Sequence, residues 1–195
     1  KTMNNPAEIS HIIKTQIENY KSRVKMEETG TDCGGNALAS VPHFFKGAAV
    51  TPVYEPMALQ VHKLRQKVEA GAGYIQTQGI FELESLKRFL DAVDKANIKV
   101  PIMAGIIPLK TAGMAKFMNE NVPGIAVPQE QIDRLSAAAE EGKASGVKGL
   151  PAKLGIELAA ELIAEVKNSG ICAGVHIMAI GAEKNVPVIL EKAGI

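Results

Sequence analysis

Tryptophan is absent from this sequence, and aromatic residues of all kinds reach only 4%. No aromatic platform for stacking nucleic-acid bases is therefore visible. Excess charge is also missing: the net value is +1, which gives no electrostatic case for nucleic acid or an acidic membrane surface. The two cysteines, Cys33 and Cys172, form no C-x-x-C pair, so neither a disulfide framework nor a cysteine zinc site is indicated. That agrees with a reducing compartment, and we expect the cytoplasm. His11, His43 and His62 show no metal-ligand spacing with carboxylates or with one another. No apolar run approaches the length of a membrane span, and no signal peptide is recognisable. The Walker lysine loop, G-x-G-x-x-G, G-x-S-x-G and H-E-x-x-H are all lacking. The chain opens at Lys1 rather than Met, so we expect a fragment, a processed chain or residues upstream.

What is present is a globular composition. Hydrophobic residues make up 46% of 195, enough for one domain with a real core, and we read residues 1–195 as that domain. Ile9, Ile12, Ile13, Ile17 and Tyr20 recur at helical spacing up to about Lys25. A polar, glycine-containing stretch follows, which reads as a long loop near 26–42. Gly47 to Thr51 is a short apolar strand stopped by Pro52, since proline cannot join a central ladder. Pro56 opens a helix to Ala70. Gly71 and Gly73 can take the left-handed turn that stops it. Tyr74 and Ile75 then begin a strand that we read as ending in the polar cluster Gln76-Thr77-Gln78. Glu84 to Asn97 is an amphipathic helix with Leu86, Phe89, Leu90 and Val93 inward. Val100 to Ile106 is a third strand, and Thr111 caps a helix through Asn119. Two further helices are expected at Pro128–Glu141 and about Leu154–Lys167. A last strand over Gly174–Ile180 and a closing helix over Val186–Ala193 complete the chain.

Strand and helix thus alternate four times, and the strands are short and apolar. That is the pattern of a parallel α/β sheet covered by helices. Two architectures satisfy it: an open doubly wound sheet, or half of a (β/α)8 barrel.

In both, ligands sit at the carboxyl ends of the strands. The rule selects Thr51–Pro56, Thr77-Gln78, Gly105–Pro108 and Ile180–Glu183. Gln78 offers a primary amide that both donates and accepts, which suits a heterocycle such as a pterin; its alternative is a cap on the next helix. Thr77 reads as packing and satisfying backbone. The glycine in Gly105-Ile106-Ile107-Pro108 reads as a place where something approaches the backbone. Glu55, between two prolines, is either a carboxylate for a ribose or ring, or a cap on the helix after Pro56. Lys67, late on its helix, reads by itself as a solvated lysine favouring the helix C-terminus. His176 reads as a core histidine. Met103, Met114, Met118 and Met178 read as fillers of core or pocket gaps.

Gly47-Ala48-Ala49-Val50-Thr51-Pro52, Lys67-Val68-Glu69-Ala70-Gly71-Ala72, Thr77-Gln78 and Gly105-Ile106-Ile107-Pro108 resemble, in order and spacing, the methylenetetrahydrofolate reductase family. The ending Gly174–Ile180 resembles that family's last barrel strand in its acetogen- and archaeal-type members. The resemblance covers about Pro42 to the end. It implies the C-terminal half of a TIM barrel, about four βα units, in a flavoprotein that reduces 5,10-methylenetetrahydrofolate to 5-methyltetrahydrofolate. FAD is the implied cofactor, with FMN as the second form. It implies flavin contacts at Ala49, Thr51, Glu55 and Lys67, the last at phosphate. It implies folate contacts at Gln78, Met178 and Ile180. Glu55 replaces a histidine common in the family, and Ala182 an arginine. The family's acid glutamate and flavin-tuning aspartate belong to strands one and four, so no catalytic residue is assigned here, and little activity is expected of these 195 residues alone. The electron donor is NAD(P)H, ferredoxin or a partner flavoprotein, and an oligomer or hetero-complex is expected. The alternatives are a non-catalytic scaffold completed by a partner chain, or a pterin-binding methyltransferase barrel without flavin.

Overall fold

The computed structural model describes residues 26–195 apart from positions 33 and 42. The helix expected up to about Lys25 lies outside the described residues. Four strands, β1 (Gly47–Val50), β2 (Tyr74–Ile80), β3 (Ile102–Ile106) and β4 (Gly174–Ile177), form one parallel sheet in sequence order. A doubly wound sheet reverses its strand order at a switch point. These four strands do not reverse, so they are successive βα units of a barrel wall, as expected.

Helices α1 (Met57–Glu69) and α2 (Leu83–Lys95) make the first two crossovers. The third holds three helices: α3 (Ala112–Asn121), α4 (Gln129–Ser145) and α5 (Leu150–Ser169). Helix α6 (Val186–Lys192) closes the chain after a single 3-10 turn. Helix α2 forms where the sequence repeats apolar residues every three to four positions: Leu86, Phe89 and Val93 are buried on one face. Thr111 caps α3, its side chain accepting from the Met114 N–H at 3.0 Å. Helix α5 starts a turn earlier than its apolar pattern suggested, because Pro151 fits a helical first turn and Gly149 enters it with φ +80°. At Gly155 the backbone of α5 touches the chain after β3: a Cβ there would lie 1.6 Å from the Leu109 carbonyl oxygen.

Two departures concern length. Strand β4 stops at Ile177 rather than Ile180, and β2 runs on to Ile80, so Gln76-Thr77-Gln78 lies inside it rather than at its end. The stretch read as a loop near 26–42 also has order. Met26–Thr29 is helical, Thr31 bridges Ala37, and the Asp32 carboxylate accepts from the N–H groups of Gly34 and Asn36. Asp32 and Asn36 carry that turn, side chains that replace backbone partners locally.

The core has three parts. Ile75 packs with Leu64, Phe89 and Val93 between the sheet and α1 and α2. Ile80 packs with Leu86, Ala160 and Ile163 beneath α2 and α5. The third part gathers Phe81, Ile107, Ile125, Met118 and Leu135. It lies beyond the carboxyl ends of β2 and β3, so the long third crossover roofs that end of the sheet.

Candidate functional site

Strand β2 is irregular where the site begins. Its pairing with β3 shifts between Gln76 and Gly79. Ile75 and Ile80 are five residues apart, an odd spacing, yet both pack against helices. A strand alternates faces every residue, so the irregularity has switched the parity. Thr77, 2% exposed, fills the gap: its hydroxyl accepts from the Gly105 N–H at 2.8 Å and donates to the Gln78 carbonyl at 2.7 Å. That is the packing and backbone role expected of it. Gly105 is indeed a point of close approach, but what approaches is the protein. A Cβ there would lie 2.4 Å from the Thr77 carbonyl oxygen, 3.0 Å from that of Gln78 and 2.8 Å from the Met178 methyl. The backbone carbonyl of Gln78 and the methyl of Met178 thus both border Gly105. The half-buried Gln78 makes no side-chain hydrogen bond to any described residue, so its amide is not used as a helix cap. Met178 also packs against the roof cluster, as do Met114 and Met118, so these three fill gaps as expected.

The second grouping lies on α1. The Lys67 ammonium donates to the Ala49 carbonyl, which joins two residues expected at the flavin. Lys67 is half-buried rather than solvated. Burial first, and the neighbouring Lys63 charge second, hold its ammonium below the ordinary 10.5. Burial alone lowers Lys63 as well. One turn further toward the helix start, Gln60 is 4% exposed and its Nε2 has no hydrogen-bond partner among the described residues. A buried amide without a partner is rare and costly. Gln60, Lys63 and Lys67 recur at i, i+3 and i+7, one face of a helix. Sequence reasoning passed over Gln60 and Lys63, although that spacing was visible.

Glu55 takes the capping alternative: its carboxylate accepts from the Met57 N–H at 2.6 Å, at the start of α1. Thr51 is held by the roof. The connection between α3 and α4 reaches it at Gly124, where a Cβ would lie 1.9 Å from the Thr51 methyl. The same connection puts Ile125 within 3.2 Å of the Cβ position at Gly79. Asn119 pins it, its side-chain amide donating to the Val127 carbonyl at 2.9 Å and accepting from the Val127 N–H at 2.7 Å.

Ile180 stands apart from the others on the rim. It is 55% exposed, and its φ of +46° is left-handed, as is that of Gly181 at +71°. The Lys110 ammonium, from the segment after β3, donates to the Ile180 carbonyl at 2.5 Å. The Glu183 carboxylate accepts from the Gly181 N–H at 2.9 Å, and such backbone hydrogen bonds, followed by the Lys110 charge, hold it below its ordinary value. His176 sits half-buried in β4. No cluster of three metal-ligating side chains occurs among the described residues.

Comparison with known proteins gives this geometry its context. A family described as "Methylenetetrahydrofolate reductase" matches residues 37–194. The chain is 29% identical over 160 residues to "Methylenetetrahydrofolate reductase 2" of Saccharomyces cerevisiae, covering 78% of this chain and 25% of that one. It is 33% identical over 117 residues to "5,10-methylenetetrahydrofolate reductase" of Escherichia coli, covering 56% of this chain and 39% of that one. The chain therefore spans well under half of these relatives. Among solved structures, an uncharacterized protein from Clostridium thermocellum, described as binding two copies of 5-methyl-5,6,7,8-tetrahydrofolic acid, superposes with a TM-score of 0.57 at 19% identity. That likeness covers 91% of this chain and 57% of the other, and it concerns the fold. With the family match running from before β1 to the end of α6, the chain belongs to the methylenetetrahydrofolate reductase family.

Proposed function

We propose that the protein of which this chain forms at least a part reduces 5,10-methylenetetrahydrofolate to 5-methyltetrahydrofolate, with a flavin as hydride carrier. The observation that carries the reading is the half-buried Gln78 amide near the carboxyl end of β2, which makes no side-chain hydrogen bond to any described residue. A pterin ring presents adjacent donors and acceptors, and one primary amide answers both. Met178 and Ile180 add apolar surface for the ring. The reading is supported by the family and by relatives named as reductases.

The α1 face fits a flavin's phosphate end. Two ammonium groups disfavoured by burial gain from an anion, and the buried Gln60 Nε2 is a donor in want of an acceptor. Ala49 and Thr51 border it. Glu55 acts here through the start of α1 rather than through a ligand. When bound, the flavin supplies the hydride that reaches the folate methylene. The chain's own residues position: Lys63 and Lys67 hold charge, Gln78 orients the ring, and the roof over β2 and β3 excludes water. Reacting atoms must be close and aligned, so this positioning is the chain's contribution to rate. We take FAD as the flavin, with FMN as the second form, and NAD(P)H, ferredoxin or a partner flavoprotein as donor. We further take residues 1–195 to lie within one domain, in a cytoplasmic oligomer or hetero-complex. No described helix is long and apolar enough to cross a membrane.

The test is direct. The complete protein is expected to be yellow, or to take up added FAD, and to bleach with 5-methyltetrahydrofolate in the absence of air. A protein that ignores both FAD and FMN yet binds 5-methyltetrahydrofolate would replace this reading by a flavin-free pterin methyltransferase. Gln78→Ala is expected to keep flavin and to weaken folate binding by about five- to thirtyfold, the worth of one or two hydrogen bonds. Unchanged folate affinity would remove Gln78 from the site.

A further inference from the structure

We infer that Lys110 is a positioning residue for the folate ring: its bond to the Ile180 carbonyl holds Ile180 in a left-handed conformation and so fixes where that side chain meets the ligand. The inference rests on the reading of Ile180 as a folate contact. Isoleucine is β-branched, and positive φ brings its Cβ against its own backbone, so the conformation is an outlier for this residue type. Burial does not explain it, because Ile180 is 55% exposed. Glycine or asparagine would take the same turn without strain. What the turn gains from isoleucine is an apolar side chain on the rim, two residues beyond Met178.

Something must hold such a residue in place, and two side chains do. Lys110 donates to the Ile180 carbonyl from seventy residues away in sequence. Glu183 accepts from the next N–H, that of Gly181. Gly181 has φ +71°, and a Cβ there would lie 3.8 Å from the Lys110 Nζ, so the ammonium sits directly against the turn. Strained backbone that the surroundings over-determine is typical of ligand clamps. The Glu183 bond is local to the turn. Lys110 ties the turn to the segment after β3, and thus to the strand that carries Gly105, which the Gln78 carbonyl and the Met178 methyl both border.

The experiment is a double-mutant cycle on the full-length protein, with the dissociation constant of 5-methyltetrahydrofolate read by calorimetry and the melting temperature read alongside. Lys110→Met is expected to weaken binding about tenfold, as misplacing one apolar contact does. Lys110→Arg, which keeps a donor, restores most of the affinity. Ile180→Gly also weakens binding, and because glycine accepts positive φ freely and has no side chain to place, adding Lys110→Met to it costs nothing further in affinity, whatever the lost backbone hydrogen bond does to the melting temperature. If Lys110→Met does not fold alone, the comparison of the double variant with Ile180→Gly still decides. A further loss of affinity in that background would mean that Lys110 touches the ligand itself, and would overturn the inference. So would a Lys110→Met protein with unchanged affinity beside an Ile180→Gly protein that binds weakly, which leaves the folate reading standing. If neither Ile180→Gly nor Gln78→Ala alters folate affinity, the folate reading falls and the inference with it.

Discussion

Lys67 shows how a single residue changes meaning between sequence and structure. By position it is a cation near a helix end; in the fold it is half-buried beside Lys63 and bonded to Ala49. Its charged form is disfavoured in the folded state. Between its lowered folded value and the 10.5 of an ordinary lysine, the unfolded chain binds more protons, so stability rises with pH across that window. A bound phosphate acts oppositely, favouring the ammonium and raising its pKa. FAD affinity is therefore expected to fall as pH rises through the ligand-free Lys67 value, and Lys67→Ala should bind FAD about tenfold more weakly, with a flatter pH profile. Flavin fluorescence titrations across the alkaline range check this, and an equally steep profile in the variant would assign the titration elsewhere. Gln78 was legible because it closes a polar cluster, Gln76-Thr77-Gln78, on a strand that begins apolar, although that cluster lies inside β2 rather than at its end. Glu55 was legible only as two alternatives, since a carboxylate one residue before a helix-opening proline serves a cap or a ligand equally well.

At the scale of the element, β2 decides the site's geometry. Its shifted register is hard to read from sequence, because no proline marks the break and Gly79 stands only at its far side. Thr77 makes the irregularity tolerable by supplying the acceptor that the Gly105 N–H would otherwise lack. Thr77→Val keeps the shape and removes the hydroxyl. It is expected to destabilise the protein by about 1–3 kcal/mol, the cost of a buried donor left unpaired, with a matching drop in the denaturation midpoint. A variant as stable as the parent would mean that the Gly105 N–H finds another acceptor. The helices were easier to read. The apolar repeat of α2 and the Thr111 cap of α3 are local signals, and both elements form where those signals stand. Helix α5 begins at Leu150 rather than near Leu154, since Gly149 enters it and Pro151 fits its first turn.

At the scale of the whole molecule, the sheet leaves its outer strands half-used. Among the described residues β1 pairs only with β2, and β4 only with β3. All four residues of β4 are merely half-buried, whereas β3 is almost wholly buried. Unpaired strand edges with apolar neighbours template further pairing. The 195 residues expressed by themselves are accordingly expected to self-associate at micromolar concentration, as sedimentation velocity would show. A monodisperse monomer would mean that the edges are covered from within the chain. This bears on function too, since the chain spans 25% of its yeast relative and 39% of its E. coli relative.

The sequence by itself determined the alternation of strands and helices and the parallel class of sheet, and it singled out the Gln78 amide as a candidate ligand contact. Those features follow from local periodicity, from turn chemistry, and from polar residues in apolar settings. Only the tertiary structure decided that the strands run in barrel order, that the third crossover roofs β2 and β3, and that Gln60 and Lys63 join Lys67. It alone brought Lys110 to Ile180. Those outcomes depend on which distant segments touch, and no local pattern records a contact across seventy residues.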